Sequence, residues 1–354
     1  MLNNVPTYFK MKLNTDLIQN IQRMRRFMKI IKYFIAGFVI FFAGLFSNGY
    51  AFSQSTITNY QATFIPVYDK SNNFNIAIRM YDTNSGLYFL CVDPNTLQTK
   101  TLPASQVRFR GTNQDMKGNY FYFQKLAATP YMRLLNNFSR SPYQAENYGV
   151  TRAKNHPGGV FVTIDMCPST QPFEKKLFST LASLADKARQ PIPIAISMSA
   201  TWLLAHQQEF QWLLKEQAEK RLAITWINHS FSHPYYLDVP IKDNFLVFNA
   251  KYFEQEVLMT EKLLLEQGQK PSIYFRFPGL ISNEDLIKRL KDLGLIAIGA
   301  DAWFAKNQMP QDGSFILIHG NGNEPKGVDK FLSILKRDAL HFLTLDIGVL
   351  STVR

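Results

Sequence analysis

Hydrophobic and polar positions follow two different patterns along this chain, and the change falls near residue 156. From residue 158 onward, short apolar runs typical of buried strands recur: GVFVTID, PIPIAIS, RLAITWIN, IYFRF, LIAIGA and SFILIHG. Amphipathic stretches lie between them, among them FEKKLFSTLASLADKA, WLLAHQQEFQWLLKEQAE and YFEQEVLMTEKLLLEQG. Strands interleaved with helices predict an α/β fold with a parallel sheet, open or closed into a barrel, over residues 156–354.

Residues 52–155 have a different pattern, which predicts a small β-rich region before the α/β part. NIAIRMYDTNSGLYFLCVD contains two β-rich runs around Asn-Ser-Gly, a hairpin signal, and a DPNT turn follows. QVRFRG and NYFYFQ continue in the same style. This region holds no catalytic constellation. We expect it to be structural, or to hold a polymer through aromatic side chains such as Tyr120 and Tyr122.

The first 51 residues are typical of an export segment. The apolar run at 33–46 is shorter than the roughly 20 residues of a membrane span and fits a signal-peptide core of roughly 7–15 residues. Basic residues precede it, and Gly49 and Ala51 supply the small residues of a cleavage site. We therefore expect export to the periplasm or cell envelope, with 1–51 as a signal peptide or an uncleaved membrane anchor. Because a complete signal peptide can be read from Met28, we interpret 1–27 as an over-extended start.

The distribution of charge and the cysteine content bear on which partners and which covalent bridges the chain can have. The formal net charge is +12, but 1–51 alone contribute +6, and the other basic residues form no run with interleaved aromatics. We therefore expect no nucleic-acid partner. We expect contact with a membrane only through an uncleaved N-terminal segment. Cys91 and Cys167 form no disulfide framework, and since Cys167 lies within a motif described below, we expect no bridge between them.

Polar residues lie at the carboxyl ends of the predicted strands, where chemistry gathers in parallel α/β folds. In chain order they are Asp165, His229, His233, Arg276, Asp301, Trp303 and His319. His229 and His233, four residues apart, can aim two imidazoles at one metal ion. Because Pro234 follows, we expect His233 to be extended and to lie in a tight loop rather than a helix.

These residues lie in motifs that resemble those of NodB-type polysaccharide deacetylases, the carbohydrate esterase family 4. TIDMCPS, HSFSHP, RFPG, DAW and LIHG occur in the family's order, where the usual forms are TFDDGP, HSxxHP, RxPxG, an Asp-Trp element and LxH. The resemblance covers 158–354. It implies a distorted (β/α) barrel, a divalent metal ion, with Zn²⁺ the expected one, and N-deacetylation of sugars such as N-acetylglucosamine.

The resemblance also implies roles for the matched residues, with His229 and His233 as the metal ligands. Asp165 would be the general base, and Arg276 would hold it ionised and oriented. His319 would be the general acid toward the leaving amine. Asp301 would orient His319, although Ala302 separates it from Trp303 and a turn carboxylate is the alternative.

The first motif departs from the family at the third metal ligand. Met166 stands where the second Asp would bind the ion, and a thioether is a poor ligand for a hard or borderline divalent cation. Asp165, water or another side chain would then complete the shell, or metal binding is weak, and Met166→Asp should tighten it. Cys167 is a chemically attractive thiolate ligand, and should face away from Met166 if the strand continues.

A second departure follows His319. The family usually has Asp there, whereas Gly320 begins the segment GNGNEPKG. This segment does not match a phosphate-binding loop, which needs Lys-Ser/Thr before a helix. We interpret it as a flexible rim, with Asn323 or Glu324 as candidate substrate contacts.

The sequence therefore predicts a metal-dependent hydrolase that removes N-acetyl groups from an N-acetylated polysaccharide or peptidoglycan of the envelope. One alternative is a non-catalytic glycan-binding pseudoenzyme that lost the metal because of Met166. The other is a hydrolase of small amides on the same barrel, against which export argues.

Overall fold

The computed structural model describes residues 56–109, 126–337 and 340–353. All of them belong to one compact unit of the chain, Ser53–Arg354. The predicted export segment and the two aromatic residues Tyr120 and Tyr122 lie outside the described residues. Within the described ranges, no helix is both long and apolar enough to cross a membrane.

The N-terminal part is a five-stranded antiparallel sheet with the order β4-β3-β2-β1-β5. Its strands are β1 (Thr58–Tyr68), β2 (Phe74–Thr83), β3 (Gly86–Val92), β4 (Thr99–Pro103) and β5 (Arg108–Phe109). The predicted Asn-Ser-Gly hairpin joins β2 to β3. A helix that the sequence pattern did not predict, α1 (Pro130–Asn137), follows, with a Thr129 side-chain cap and proline at its first position.

The remainder is a seven-stranded parallel sheet with the order β10-β9-β8-β7-β6-β12-β11. Its strands are β6 (Phe161–Met166), β7 (Ile192–Met198), β8 (Leu222–Asn228), β9 (Pro271–Phe275), β10 (Ile296–Ala297), β11 (Ala302–Trp303) and β12 (Phe315–His319). Its helices are α2 (Lys175–Ala188), α3 (Ala200–Ala205), α4 (Gln207–Ala218), α5 (Phe253–Glu266), α6 (Glu284–Asp292), α7 (Pro325–Arg337) and α8 (Leu345–Ser351). The predicted fold, a curled α/β sheet of the (β/α)-barrel kind after a β-rich region, is confirmed.

Two elements differ from the sequence pattern. The stretch WLLAHQQEFQWLLKEQAE forms two helices, α3 and α4, because the backbone leaves helical geometry at His206. Ala302 and Trp303, expected only to follow a strand, themselves form β11, which pairs with β12. Strands of two residues carry too little periodic signal to be found from sequence.

Alternation along β6 separates its side chains onto two faces of the sheet. Ile164 and Met166 are fully buried in an apolar layer with side chains of α2, α4 and α7. Phe161 belongs to a different core cluster and packs against Phe315 of β12, with the two rings tilted at 37°. Because alternate residues share a face, Asp165 lies on the Phe161 face, away from Met166.

The segment 147–152 spans the space between the sheet's two edge strands, β10 and β11, which share no ladder within the described residues. Val150 bridges Ile298 beyond β10, and Arg152 bridges Ser314 before β12. The Asn147 side chain donates to the carbonyl oxygen of Ala300 at 2.6 Å and accepts from its amide at 2.9 Å. The sheet therefore curls into an incomplete barrel with this segment along its open side.

A buried ion pair joins the antiparallel sheet to α5. The Arg79 guanidinium, fully buried, donates to both oxygens of the Glu261 carboxylate at 2.6 and 2.9 Å. The Tyr60 hydroxyl donates to the same carboxylate at 2.9 Å. Since a buried charge is stable only when it is paired and hydrogen-bonded, this contact fixes β1 and β2 against the helix.

Candidate metal and catalytic site

Asp165 and Arg276 form a buried ion pair at the carboxyl end of the parallel sheet. Asp165 is 3% exposed and Arg276 is 0% exposed, and Nη1 of Arg276 donates to Oδ1 of Asp165 at 2.9 Å. The other guanidinium nitrogens donate to the carbonyl oxygens of Ile298 and Gly299 at 3.3 and 2.9 Å. The guanidinium is therefore held by backbone as well as by the carboxylate, so that it fixes the orientation of Asp165.

Three side chains beside this pair bring their donor atoms together. The ligand atoms of Cys167, His229 and His233 all lie within 4.8 Å of one another. Nε2 of His229 is 3.5 Å from Sγ of Cys167, and Nδ1 of His229 is 2.8 Å from the carbonyl oxygen of Arg276. A carbonyl only accepts, so Nδ1 carries the proton and Nε2 presents its lone pair toward the cluster.

The loop after β8 turns both imidazoles toward one point. His233 has a φ of 46° and Ser230 a φ of 66°, so the expected extended geometry of His233 is wrong, while the expected tight loop is confirmed. The Ser230 hydroxyl accepts from the His233 amide at 3.1 Å, and the Asn228 side chain accepts from the Ser230 amide at 2.9 Å. These local hydrogen bonds stabilise a left-handed turn, and they outweigh the preference for extended geometry that a following proline imposes.

Nε2 of His233 is buried and has no hydrogen-bond partner in the described part of the protein. A buried nitrogen without a partner is costly, and it therefore points to a group that binds there. The two imidazole rings lie 4.7 Å apart, with planes at 72°. The donor atoms of His229 and His233 therefore lie close enough to bind one divalent ion.

The Cys167 thiol is buried within this cluster, and the cysteines are free, as expected. Burial alone would raise its pKa, but the neighbouring imidazoles of His233, His319 and His229 outweigh burial and hold the pKa of Cys167 well below its ordinary value. The side chain of Asn321 donates to the carbonyl oxygen of Cys167 at 2.7 Å, which fixes this turn. These surroundings favour the thiolate, the form of cysteine that binds metals.

His319 lies beside Asp165, its register partner on the neighbouring strand. Nδ1 of His319 is 2.7 Å from Oε2 of Glu324, and the indole of Trp303 donates to the same oxygen at 2.8 Å. Burial lowers the pKa of His319, but the Cys167 thiolate and the bond to Glu324 outweigh it and raise that pKa well above its ordinary value. The contact with Glu324 therefore favours the protonated form of His319, in which Nδ1 donates to Oε2 of Glu324.

Asp301 does not take the position that was predicted for it. Its carboxylate accepts from the Phe315 amide at 3.0 Å and from the Ser314 hydroxyl at 3.2 Å, and Arg152 lies 3.3 Å away. These bonds tie the start of β11 to the start of β12 at the far end from His319. Glu324, predicted only as a candidate substrate contact, orients His319 instead.

The segment expected to be a flexible rim starts inside the protein. Gly320 and Asn321 are buried, and the Gly320 amide donates to the carbonyl oxygen of Asp165 at 3.1 Å. Farther along, Asn323 accepts a 2.7 Å hydrogen bond from the Ser169 hydroxyl. Ser169 and Asn323 line a cleft of about 520 Å³, together with Pro168 and Thr201.

Comparison with known proteins gives one family match and several similar structures. The family described as the RP012 protein N-terminal domain matches residues 58–132, the region of β1 to β5 and the start of α1. A family 4 carbohydrate esterase from Bacillus anthracis is 19% identical, with a TM-score of 0.44 over 64% of this chain and 94% of that chain. A family 4 pseudoenzyme from the same organism is 12% identical, with a TM-score of 0.41 over 56% and 68% of the two chains. The chitin deacetylase of Colletotrichum lindemuthianum is 14% identical, with a TM-score of 0.40 over 56% and 90%.

Proposed function

We propose that this protein is a metal-dependent hydrolase that removes N-acetyl groups from an N-acetylated polysaccharide or peptidoglycan. The observation that carries this proposal is the pairing of Asp165, bound to Arg276, with His319, bound to Glu324, on adjacent strands. The two side chains offer a base and an acid at one mouth, next to an unpartnered histidine nitrogen that fits a metal ion. Hydrolysis of an amide needs this combination, because water must lose a proton and the departing nitrogen must gain one.

Each residue has a defined task in this proposal. Asp165, oriented by Arg276, accepts the proton of the attacking water. His319 donates its Nε2 proton to the nitrogen as the carbon–nitrogen bond breaks, because Glu324 holds its other proton. A divalent ion, Zn²⁺ in our proposal, held by His229 and His233 would polarise the acetamide carbonyl and make water beside it more acidic. The products are acetate and a free amine.

The wider setting is part of the same proposal. Residues 1–51 would carry the chain to the periplasm or envelope, as a cleaved signal or as an anchor. Residues 52–155 would form a structural accessory domain on the catalytic part at 156–354. The cleft lined by Ser169 and Asn323 has hydroxyl and amide groups suited to a sugar chain.

Acetate release tests the function directly. The purified protein is stripped of metal, reloaded with Zn²⁺ and incubated with N-acetylglucosamine oligomers and with peptidoglycan. We expect metal-dependent release of acetate and accumulation of free amines on the polymer, both lost in Asp165→Asn. A folded, metal-loaded protein that binds the polymer but releases no acetate would instead be the glycan-binding alternative. Release of acetate from small amides, but not from the polymers, would identify the second alternative, a small-amide hydrolase.

A further inference from the structure

We propose that the thiolate of Cys167 is the third protein ligand of the metal site, giving a Cys-His-His set that prefers Zn²⁺ or Co²⁺ to Mg²⁺ or Mn²⁺. This inference deepens the proposed function, since it concerns the same site, and it names a ligand that is not a carboxylate. A carboxylate would favour harder ions, whereas a thiolate favours softer ones.

The distances fit such a site. Zn²⁺ bound tetrahedrally to sulfur at about 2.3 Å and to nitrogen at about 2.0 Å separates the two donors by roughly 3.5 Å. Sγ of Cys167 and Nε2 of His229 are 3.5 Å apart, and the His233 donor lies within 4.8 Å of both. Three protein donors leave a fourth position open, as catalytic zinc sites do.

The neighbouring side chains make other contacts, and none of them belongs to the cluster of donor atoms formed by Cys167, His229 and His233 in the described part of the chain. Oδ1 of Asp165 accepts the 2.9 Å hydrogen bond from Arg276. Met166 is fully buried in the apolar layer under the helices, on the other face of the strand. Nδ1 of His319 is bound to Glu324. Cys167 remains as the side chain of this turn that faces the two histidines.

The surroundings of the ligands also suit a preformed site. The carbonyl oxygen of Arg276 fixes the His229 tautomer, so that Nε2 is available for coordination. The Asn321 side chain, itself fully buried, holds the Cys167 backbone through its carbonyl oxygen. Nε2 of His233 is buried and accepts no hydrogen bond from the described residues, so it too is free to bind an ion.

Cobalt spectroscopy tests the ligand without reference to activity. Full-length protein reloaded with Co²⁺ should show a near-ultraviolet sulfur-to-cobalt charge-transfer band, and Cys167→Ser should lose it. Cys91→Ala is the matched control, because Cys91 is the other buried free cysteine and lies on β3. It should keep the band. Zinc affinity should fall by at least about 100-fold in Cys167→Ser, since even outer-shell partners contribute about 10–100-fold.

A second measurement needs no variant. Bound Zn²⁺ should protect Cys167 of the wild-type protein from a thiol reagent, and removal of the ion should expose it to modification. A wild-type Co²⁺ spectrum without the band, or a band that persists in folded Cys167→Ser, would overturn the inference. If the protein shows the band but releases no acetate, Cys167 is still a ligand and the proposed function is wrong. If it releases acetate but shows no band, the proposed function stands and Cys167 is not a ligand.

Discussion

Met166 and Gly320 are packed against each other, and their sizes are matched. A Cβ atom at position 320 would lie 2.8 Å from Sδ of Met166, and equally close to side-chain atoms of Ile164 and Phe178. Such a separation is too short for van der Waals contact. Position 320 therefore has no room for a side chain while Ile164, Met166 and Phe178 keep their places.

Gly320→Ala should therefore destabilise the protein by about 1–3 kcal/mol, the usual cost of overpacking a buried site. The same substitution in a Met166→Ala background should cost less, because the sulfur is gone. Urea denaturation of the four proteins gives the interaction energy between the positions. Additive effects would show that the two side chains do not compete for space.

The same packing reverses the expectation for Met166→Asp. A carboxylate at 166 would enter the apolar layer under the helices rather than the metal site. We expect lower stability and no gain in zinc affinity, because an unpaired buried carboxylate is costly. Isothermal titration with Zn²⁺, together with a denaturation curve, checks both. Tighter zinc binding would mean that position 166 reaches the ion after all.

Periodicity and motif order were enough to predict the strands that carry Asp165 and His319 and the strand that Arg276 follows. The alternation rule also placed Cys167 opposite Met166. The backbone conformation at His233 could not be predicted in this way, because its left-handed turn depends on local hydrogen bonds to the side chains of Ser230 and Asn228.

The partner of His319 shows a second limit. Asp301 was the predicted partner because it resembles a family element, but its carboxylate is used at the start of β12. Glu324 comes from the loop before α7, and its approach to His319 depends on how that loop turns at Gly322, where φ is 78°. No spacing rule marks such a contact. The helix α1 was missed for another reason, since its eight residues are fewer than the window of about 11–18 residues over which helical periodicity is recognised.

Glu324→Gln should move the alkaline limb of the activity profile to lower pH. His319 acts in its protonated form, so activity is full below its pKa and is lost as pH rises through it. The Glu324 carboxylate helps to raise the pKa of His319, and removing the charge lowers that pKa. The measurement is acetate release as a function of pH at saturating Zn²⁺. Asp301→Asn is the control, and the alkaline limb of its activity profile should not move. A shift as large as that of Glu324→Gln would show that Asp301 orients His319.

Breaking the buried pair between Arg79 and Glu261 should loosen the antiparallel sheet from α5. Glu261→Gln leaves a buried guanidinium without its counter-charge, and we expect a loss of about 3–5 kcal/mol in the free energy of unfolding. Glu284→Gln removes an exposed pair with Lys288 and should change it by less than about 1 kcal/mol. Denaturant titration of both variants measures the difference. Equal effects would mean that the buried pair does not anchor the sheet.

Replacement of His319 separates proton donation from metal binding. His319→Ala should lower acetate release from an N-acetylated sugar polymer by about 10²–10⁴-fold, the usual contribution of a positioned acid. Its loss should be much smaller for an aryl acetate, whose leaving group departs without a proton. Asp165→Asn should slow both substrates, because both reactions need an activated water. Zinc content should stay unchanged in His319→Ala, since Cys167, His229 and His233, the clustered donors, all remain. Equal losses on the two substrates would remove His319 from the role of general acid, and an empty metal site in the variant would make it a ligand.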